Sequence, residues 1–167
     1  MLKTLEEENV ELKQIYITDC TLNTFPNDFF KYKNLKKVLY LELSTNQLTN
    51  LPENIFDNFE SLETLEIYSN KLTGLPENIF KKLSNLKSLN LTGNQLSGLP
   101  KNIFKGLHNL EELLLGNNNL SNLAKDLFSD LRKLKKLHIN NNPLTEEDKK
   151  NIKAALPETK IVFKEQN

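Results

Sequence analysis

The sequence predicts an α/β solenoid whose short parallel strands stack into one sheet. Three observations support this fold class: apolar residues recur with a fixed period of 24 residues, apolar and polar residues alternate at the start of each unit, and an asparagine follows each alternating stretch. The regular units open at Val38, Leu62, Leu86, Leu110 and Leu134. A constant period over this length is the signature of a repeat architecture, in which each unit stacks on the next.

Composition limits the class of protein. The chain has 167 residues and equal numbers of basic and acidic residues, 22 of each, so its formal net charge is zero. We therefore expect one domain over residues 1–167 and no nucleic-acid partner, since no general positive charge is available for a phosphate backbone. Mean hydropathy is −0.51 and no apolar run approaches the ~20 residues that cross a bilayer, so we expect no membrane insertion.

The chain begins with residues 1–11, where a few apolar residues stand among acidic ones. This stretch is predicted to be an N-terminal cap or a degraded repeat that shields the first edge of the sheet. About six repeats follow over residues 12–144, and the first has Cys20 in place of the asparagine. The second unit opens two residues later than the period predicts, so residues 31–37 are expected to hold a two-residue insertion in a loop.

Each unit starts with a short strand and returns along a different path. Period-two alternation, as in Leu41-Glu42-Leu43, predicts a half-buried strand, and six such strands at ~4.8 Å would form a sheet roughly 25–30 Å long. Leu-Pro pairs such as Leu51-Pro52 follow, and proline favours turns or short 3-10 segments on this return limb rather than a second sheet. One phenylalanine position per unit is expected to form an aromatic spine in the core: Phe30, Phe56, Phe80, Phe104 and Phe128.

The recurrent asparagine is predicted to be a structural position rather than a binding position. Immediately after each strand the backbone bends inward and its amides lose their strand partners, and an inward-facing asparagine amide can satisfy them. This predicts a ladder formed by Asn46, Asn70, Asn94, Asn118 and Asn142.

The last part of the chain, residues 145–167, departs from the repeat and is predicted to be a C-terminal helix–strand cap. Thr145 is suited to begin the helix, and an apolar face is formed by Leu144, Ile152, Ala155 and Leu156. The segment Lys160–Phe163 then predicts a last short strand that covers the open core of the final repeat.

Leucines and Asn94 in the unit Leu86–Leu107 follow the pattern of leucine-rich repeats, and the chain resembles that family over residues 12–144. The 24-residue length resembles its typical subclass, and residues 143–163 resemble the caps of secreted bacterial leucine-rich-repeat proteins. The resemblance implies a curved right-handed superhelix with the parallel sheet on its concave side and the turns or 3-10 segments on its convex side. It also implies that the solenoid binds a protein ligand on its concave sheet without catalysing a reaction. Because Cys20 is the only cysteine, the disulfide-bonded ends of animal extracellular members are absent, which favours a bacterial or intracellular protein.

Side chains between the buried leucines must face the concave surface, because side chains alternate along a strand. Tyrosine near charged residues is typical of binding hot spots, although aromatic residues also suit strands for structural reasons. Leu114 is apolar at a position where the pattern predicts a polar residue, which favours contact with a partner. The candidate partner-binding residues are Tyr16, Tyr40, Glu42, Glu66, Tyr68, Glu112, Leu114 and His138.

The sequence gives no pattern of a catalytic, metal or cofactor site, so we expect a protein that is not an enzyme. Cys20 occupies a ladder position and is expected to be buried and structural. His108 and His138 are too far apart in the repeat to share a metal within one molecule, although His138 with Glu112 could join a zinc contact between molecules. No glycine-rich phosphate loop is present.

These observations predict a protein–protein interaction module, with a host or cell-surface protein as one candidate ligand. A cytoplasmic scaffold or regulatory subunit, and a recognition fragment of a larger enzyme, are the alternatives. The expected location is secreted or at the cell surface after removal of a signal peptide, with the cytoplasm as the alternative. A monomer is expected, with weak or metal-mediated self-association as the other outcome.

Overall fold

The computed structural model describes residues 11–25, 30 and 33–164. Over this part of the chain, seven strands form one sheet in sequence order and every neighbouring pair is parallel. The strands are β1 (Gln14–Tyr16), β2 (Tyr40–Glu42), β3 (Thr64–Glu66), β4 (Ser88–Asn90), β5 (Glu112–Leu114), β6 (Lys136–His138) and β7 (Lys160–Val162). A 3-10 helix spans Lys33–Lys37 and the helix α1 spans Glu146–Ala155. The predicted α/β solenoid is therefore confirmed.

The register of the sheet follows the repeat. Tyr40 pairs with Thr64, and each later strand is offset from its neighbour by the same 24 residues. Gln14 pairs with Tyr40, so two extra residues separate β1 from β2. The predicted insertion lies partly in residues 31–32, and the predicted N-terminal cap lies mainly in residues 1–10, both outside the described residues.

The strands begin one residue earlier than the alternation predicted. In β2, for example, Tyr40 lies on the concave side before Leu41 and already pairs with Thr64 of β3. The backbone ladder nevertheless continues past them: the Leu43 amide donates to the Glu66 carbonyl at 2.8 Å. The extended backbone beyond β2 then ends at Thr45, where φ is 53°. The residues before the later ladder asparagines are also left-handed: Ser69, Gly93, Asn117 and Asn141.

The core lies between the sheet and the convex turns. Leu41, Leu65 and Leu89 of the strands are fully buried. On the convex side, bonds such as Ile55 N–H to the Pro52 carbonyl form tight turns rather than a second sheet. The five spine phenylalanines are all buried, and two pairs stack with centroids about 6 Å apart: Phe56 with Phe80 at 6.1 Å, and Phe104 with Phe128 at 6.0 Å.

The asparagine ladder makes the same hydrogen bonds in successive units. The Asn94 side chain is 7% exposed and accepts from the Leu72 amide at 3.1 Å. Its Nδ2 donates to the carbonyls of Ile67 at 3.0 Å and Leu91 at 3.1 Å. The side-chain amide of Asn94 thus satisfies backbone groups of two units. Without these hydrogen bonds the buried backbone groups would be unpaired, which would lower the stability of the fold.

The expectation that Cys20 is buried is wrong, because its side chain is exposed. The Cys20 backbone amide does donate to Asn46 Oδ1 at 3.0 Å, as a ladder position should. Its thiol instead donates to the Thr18 carbonyl at 3.0 Å. Inward ladder bonds need carbonyls of a preceding repeat, and the described residues hold no repeat before β1.

The helix α1 begins at the predicted N-cap. Thr145 and Asp148 form a reciprocal capping box, in which the Thr145 hydroxyl accepts from the Asp148 amide at 3.0 Å. Leu144, Ile152 and Leu156 are buried, but Ala155 is exposed, so its assignment to the apolar face is wrong. The inward line runs at four-residue spacing through Asp148, Ile152 and Leu156, and Ala155 lies beside that line. Among the described helices, none is long and apolar enough to cross a membrane.

Candidate functional site

The concave face presents the strand residues that lie between the buried leucines. Register places the strand residues in two rows across the sheet, and the residues two positions beyond them continue the pattern as a third row. Tyr40 belongs to the first row, Glu42 and Glu66 to the second, and Tyr68 to the third. Because the strands are stacked at ~4.8 Å, side chains on neighbouring strands can touch within a row or diagonally.

The N-terminal strands carry an aromatic pair. The rings of Tyr16 and Tyr40 have centroids 5.2 Å apart and are tilted by 37°. Tyr16 is 58% exposed, the highest value among the large apolar side chains in the described part of the chain. The pair therefore offers a preformed aromatic surface to a partner at low entropic cost.

The Glu42 carboxylate organises the tyrosines around it. Tyr40 donates its hydroxyl to Glu42 Oε2 at 3.0 Å, and Tyr68 donates to Glu42 Oε1 at 3.2 Å. Burial, and then the hydrogen bond to Glu42, raise the pKa of the Tyr40 hydroxyl well above its ordinary value. The same causes in the same order raise the pKa of Tyr68. Both hydroxyls are thus held protonated as donors.

A second carboxylate, that of Glu66, lies directly opposite Glu42 in the sheet register. Asn90 Nδ2 donates to Glu66 Oε2 at 2.8 Å. Burial raises the pKa of Glu66, and the Glu42 and Glu112 carboxylates add to this against the opposing effect of the Asn90 bond. Within the described residues, no basic side chain forms an ion pair with Glu42 or Glu66.

The structure brings five of the eight predicted partner-binding residues together. We call this group the tyrosine–glutamate cluster: Tyr16, Tyr40, Glu42, Glu66 and Tyr68. The other three residues lie farther along the sheet, on β5 and β6. Glu112 forms an ion pair with Lys136 at 2.6 Å, so its charge is already compensated. Leu114 is half-buried and lies between Asn90 and His138 in the register.

His138 faces a basic environment. Burial lowers its pKa below 6.5, the Lys136 ammonium lowers it further, and the attraction of Glu112 only partly opposes this. His108 lies on the convex side of the repeat, with Nδ1 3.2 Å from the Asp130 carbonyl oxygen. In the part of the chain that the structure describes, no three histidine, cysteine, aspartate or glutamate side chains gather into a metal-binding group.

Sequence reasoning missed two features of this face. Ser44, opposite Tyr68, is fully buried, and its hydroxyl oxygen has no hydrogen-bond partner among the described residues. An open pocket of about 640 Å³ lies beside β6 and β7. Its lining includes His138, Asn140, Lys160, Val162, Phe163 and Lys164. The 24-residue period could have identified the pocket, because it places Lys160 beside Lys136 and Val162 beside His138.

Comparison with known proteins identifies the family. Four overlapping stretches, residues 10–72, 38–96, 60–115 and 84–144, match the sequence profile described as leucine rich repeat. The chain belongs to the leucine-rich-repeat family. Proteins of this family commonly bind other proteins and are typically not enzymes. No match was found among curated proteins.

Solved structures show the same leucine-rich-repeat fold. A leucine-rich-repeat protein of Leptospira interrogans is 34% identical, with a TM-score of 0.82 over 97% of this chain and 39% of that one. TLR13 in the TLR13–ssRNA13 complex is 26% identical, with a TM-score of 0.77 over 90% of this chain and 21% of that one. The leucine-rich-repeat domain of APL1B is 21% identical, with a TM-score of 0.74 over 86% of this chain and 42% of that one. The chain thus spans less than half the length of each.

Proposed function

We propose that this chain is a protein-binding module that holds a protein ligand on its concave sheet through the tyrosine–glutamate cluster. The observation that carries the proposal is the arrangement around Glu42, whose carboxylate fixes two tyrosine hydroxyls beside the exposed Tyr16 ring. Tyrosines held in this way have lost their rotamer freedom before a ligand arrives, so binding costs less entropy.

The carboxylates indicate the chemistry of the ligand. Like charges directly opposite each other destabilise a sheet, and Glu42 and Glu66 occupy such a pair. A lysine or arginine of the ligand would compensate both charges, and an arginine could also stack on the Tyr16 ring. We therefore propose that a basic side chain of the ligand enters the tyrosine–glutamate cluster.

Affinity capture from host and same-cell extracts, followed by calorimetry with the purified captured protein, tests this proposal. Tyr40→Ala and Tyr68→Ala should each weaken binding by about tenfold or more, as expected for hot-spot residues. Ser88→Ala is the matched control, because Ser88 lies on the same face in a central strand outside the cluster. Undiminished binding by both tyrosine variants would refute the cluster as the binding site.

The secreted or cell-surface location remains our proposal, supported by the resemblance of residues 143–163 to secreted bacterial caps. A cytoplasmic scaffold would use the same surface. Fractionation of the native cells, with the chain detected by antibody, separates the two: detection only in the cytoplasm would overturn the proposed location.

A further inference from the structure

The C-terminal end of the concave face carries a pocket that the tyrosine–glutamate cluster does not use. The pocket, of about 640 Å³, is within the size range of ligand-binding pockets. His138 contributes one wall, and Lys160 and Lys164 contribute others. The Asn140 side chain, 6% exposed, lies against Gly116, where a Cβ would come within 2.7 Å of Asn140 Oδ1. This close packing fixes the inner wall.

The charge around the pocket is positive. Lys160 and Lys164 line it, and neither makes an ion pair with another described residue. Lys136 stands beside Lys160 in the register, and the nearby Glu112 carboxylate is bound to Lys136 at 2.6 Å. An anion entering the pocket would therefore meet two lysines without an ion-pair partner among the described residues, and the Glu146 carboxylate, which is paired with Lys149, attracts Lys164 only at longer range.

The pocket also has an apolar side. Val162 lies next to His138 on the concave face, and Leu114 lies on the other side of His138. Both are half-buried, and neither belongs to the buried core or to the side chains packed against it. Phe163 contributes a ring, over which Lys153 Nζ lies at 5.6 Å from the centroid. Lysines beside apolar side chains suit an acidic side chain of a ligand that has an apolar side chain next to it.

We propose that this pocket is a second anchor for the protein ligand and that it accepts an acidic side chain flanked by an apolar one. The inference rests on the proposed function, and it makes the concave face bipolar: negative and aromatic at β1 to β3, positive at β6 and β7. Five strand spacings of ~4.8 Å separate β2 from β7, so the ligand presents its basic and acidic groups roughly 20–25 Å apart. Charge complementarity thereby fixes the orientation of the ligand.

Two tripeptides test the pocket by NMR: acetyl-Leu-Glu-Leu-amide and its uncharged counterpart acetyl-Leu-Gln-Leu-amide. The chain has only two histidines, so the His138 ring is assigned by comparison with His108→Gln. We expect the glutamate peptide to produce saturable shifts of the His138 ring and of the Leu114 and Val162 amides at millimolar concentration. The glutamine peptide should bind at least about fivefold more weakly. Equal binding of both peptides, or no saturable shift, overturns the proposal.

Lysine variants show whether the glutamate peptide binds in the pocket. Lys160→Gln and Lys164→Gln should each weaken the glutamate peptide about three- to fivefold, as expected for one partly exposed charge pair. Lys150→Gln is the matched control, since Lys150 is exposed on α1 and does not line the pocket. An equal loss in Lys150→Gln, or none in either pocket variant, would contradict the proposed site.

The same experiment keeps this proposal separate from the first. Tyr40→Ala should leave tripeptide binding unchanged, because the peptide is too short to span both sites. If the tripeptide fails to bind while Tyr40→Ala still weakens ligand binding, only the second anchor is refuted. If the tripeptide binds while the tyrosine variants keep full ligand affinity, only the tyrosine–glutamate cluster is refuted.

Discussion

At the residue scale, Glu66 shows how the proposed binding surface can reduce stability. Its carboxylate is half-buried opposite Glu42, and the only hydrogen bond described for it comes from Asn90. This unfavourable charge pair supports the proposal that a basic side chain of the ligand enters the tyrosine–glutamate cluster.

Glu66→Gln is predicted to stabilise the protein at neutral pH. Burial and the Glu42 carboxylate raise the pKa of Glu66 above 4.5, so the folded protein favours the protonated carboxyl. The stability that the protonated form contributes is complete below pH 4.5 and is lost as the pH rises through the raised pKa. At pH 7 the variant should gain about 0.2–1 kcal/mol in the free energy of unfolding, an increase of about 1–3 °C in midpoint. Thermal unfolding at pH 4 and pH 7 measures the gain, which should shrink towards zero at pH 4.

Glu158→Gln serves as the control, because Glu158 is exposed and makes no described hydrogen bond or ion pair. Its midpoint should change little at either pH. A midpoint of Glu66→Gln that falls at pH 7, or a gain that is the same at both pH values, would contradict the account of the carboxylate pair.

At the element scale, α1 closes the end of the solenoid through its first turn. Asp148 is 7% exposed, and its pKa is lowered: burial opposes the lowering, but hydrogen bonds from Thr145 and from the backbone of Leu123 and Asn122 outweigh burial. Asp148 thus joins the capping box to the repeat that opens at Leu110. The apolar contacts of Ile152 and Leu156 then cover the core.

Thr145→Ala should loosen this closure. The substitution removes the acceptor of the Asp148 amide and one donor to the Asp148 carboxylate, so the free energy of unfolding should fall by about 1 kcal/mol. Urea unfolding followed by helical circular dichroism measures the loss, and hydrogen exchange should accelerate first in α1. Thr73 is an exposed threonine in a repeat, and no hydrogen bond of its side chain is described. Thr73→Ala should therefore lower the free energy of unfolding much less. Equal losses in the two variants would contradict a special role for the cap.

At the scale of the whole molecule, each repeat contacts its neighbours through the same register and the same ladder. Stability in such a solenoid is approximately a sum over repeats and their interfaces. Zero net charge conceals an uneven distribution, since the described concave face is acidic at its N-terminal strands and basic at its C-terminal strands. The length of the sheet therefore determines the spacing between its two charged ends.

Deletion of one complete repeat, residues 86–109, should leave a shorter solenoid that still folds. β3 would then pair with β5, and Phe80 would meet Phe128 in place of Phe104. Because less surface is buried, the urea m-value should fall by about 15–20% while unfolding stays cooperative. Circular dichroism and urea unfolding measure both properties.

Deletion of half a repeat, residues 86–97, is the control for this prediction. It would bring a convex turn opposite a strand and break the ladder, so this variant should not fold. A well-folded half-repeat deletion, or an unfolded full-repeat deletion, would show that the units are not interchangeable.

The sequence by itself determined the repeat, the parallel strands, the convex turns, the ladder positions and the start of α1 at Thr145. These features depend on local alternation and on a period, which fix side-chain direction and register without knowledge of distant contacts. The concave rows followed for the same reason, and so did the list of candidate residues.

Only the tertiary structure decided which of those candidates touch. Tyr68 reaches diagonally across strands to Glu42, and Lys136 compensates Glu112 but leaves Glu66 without a basic partner among the described residues. The exposure of Cys20 and Ala155, and the pocket beside β7, lie at the two ends of the part of the solenoid that the structure describes. Burial there depends on whether another layer follows, which a repeating pattern does not encode, whereas inside the solenoid every unit has the same neighbours.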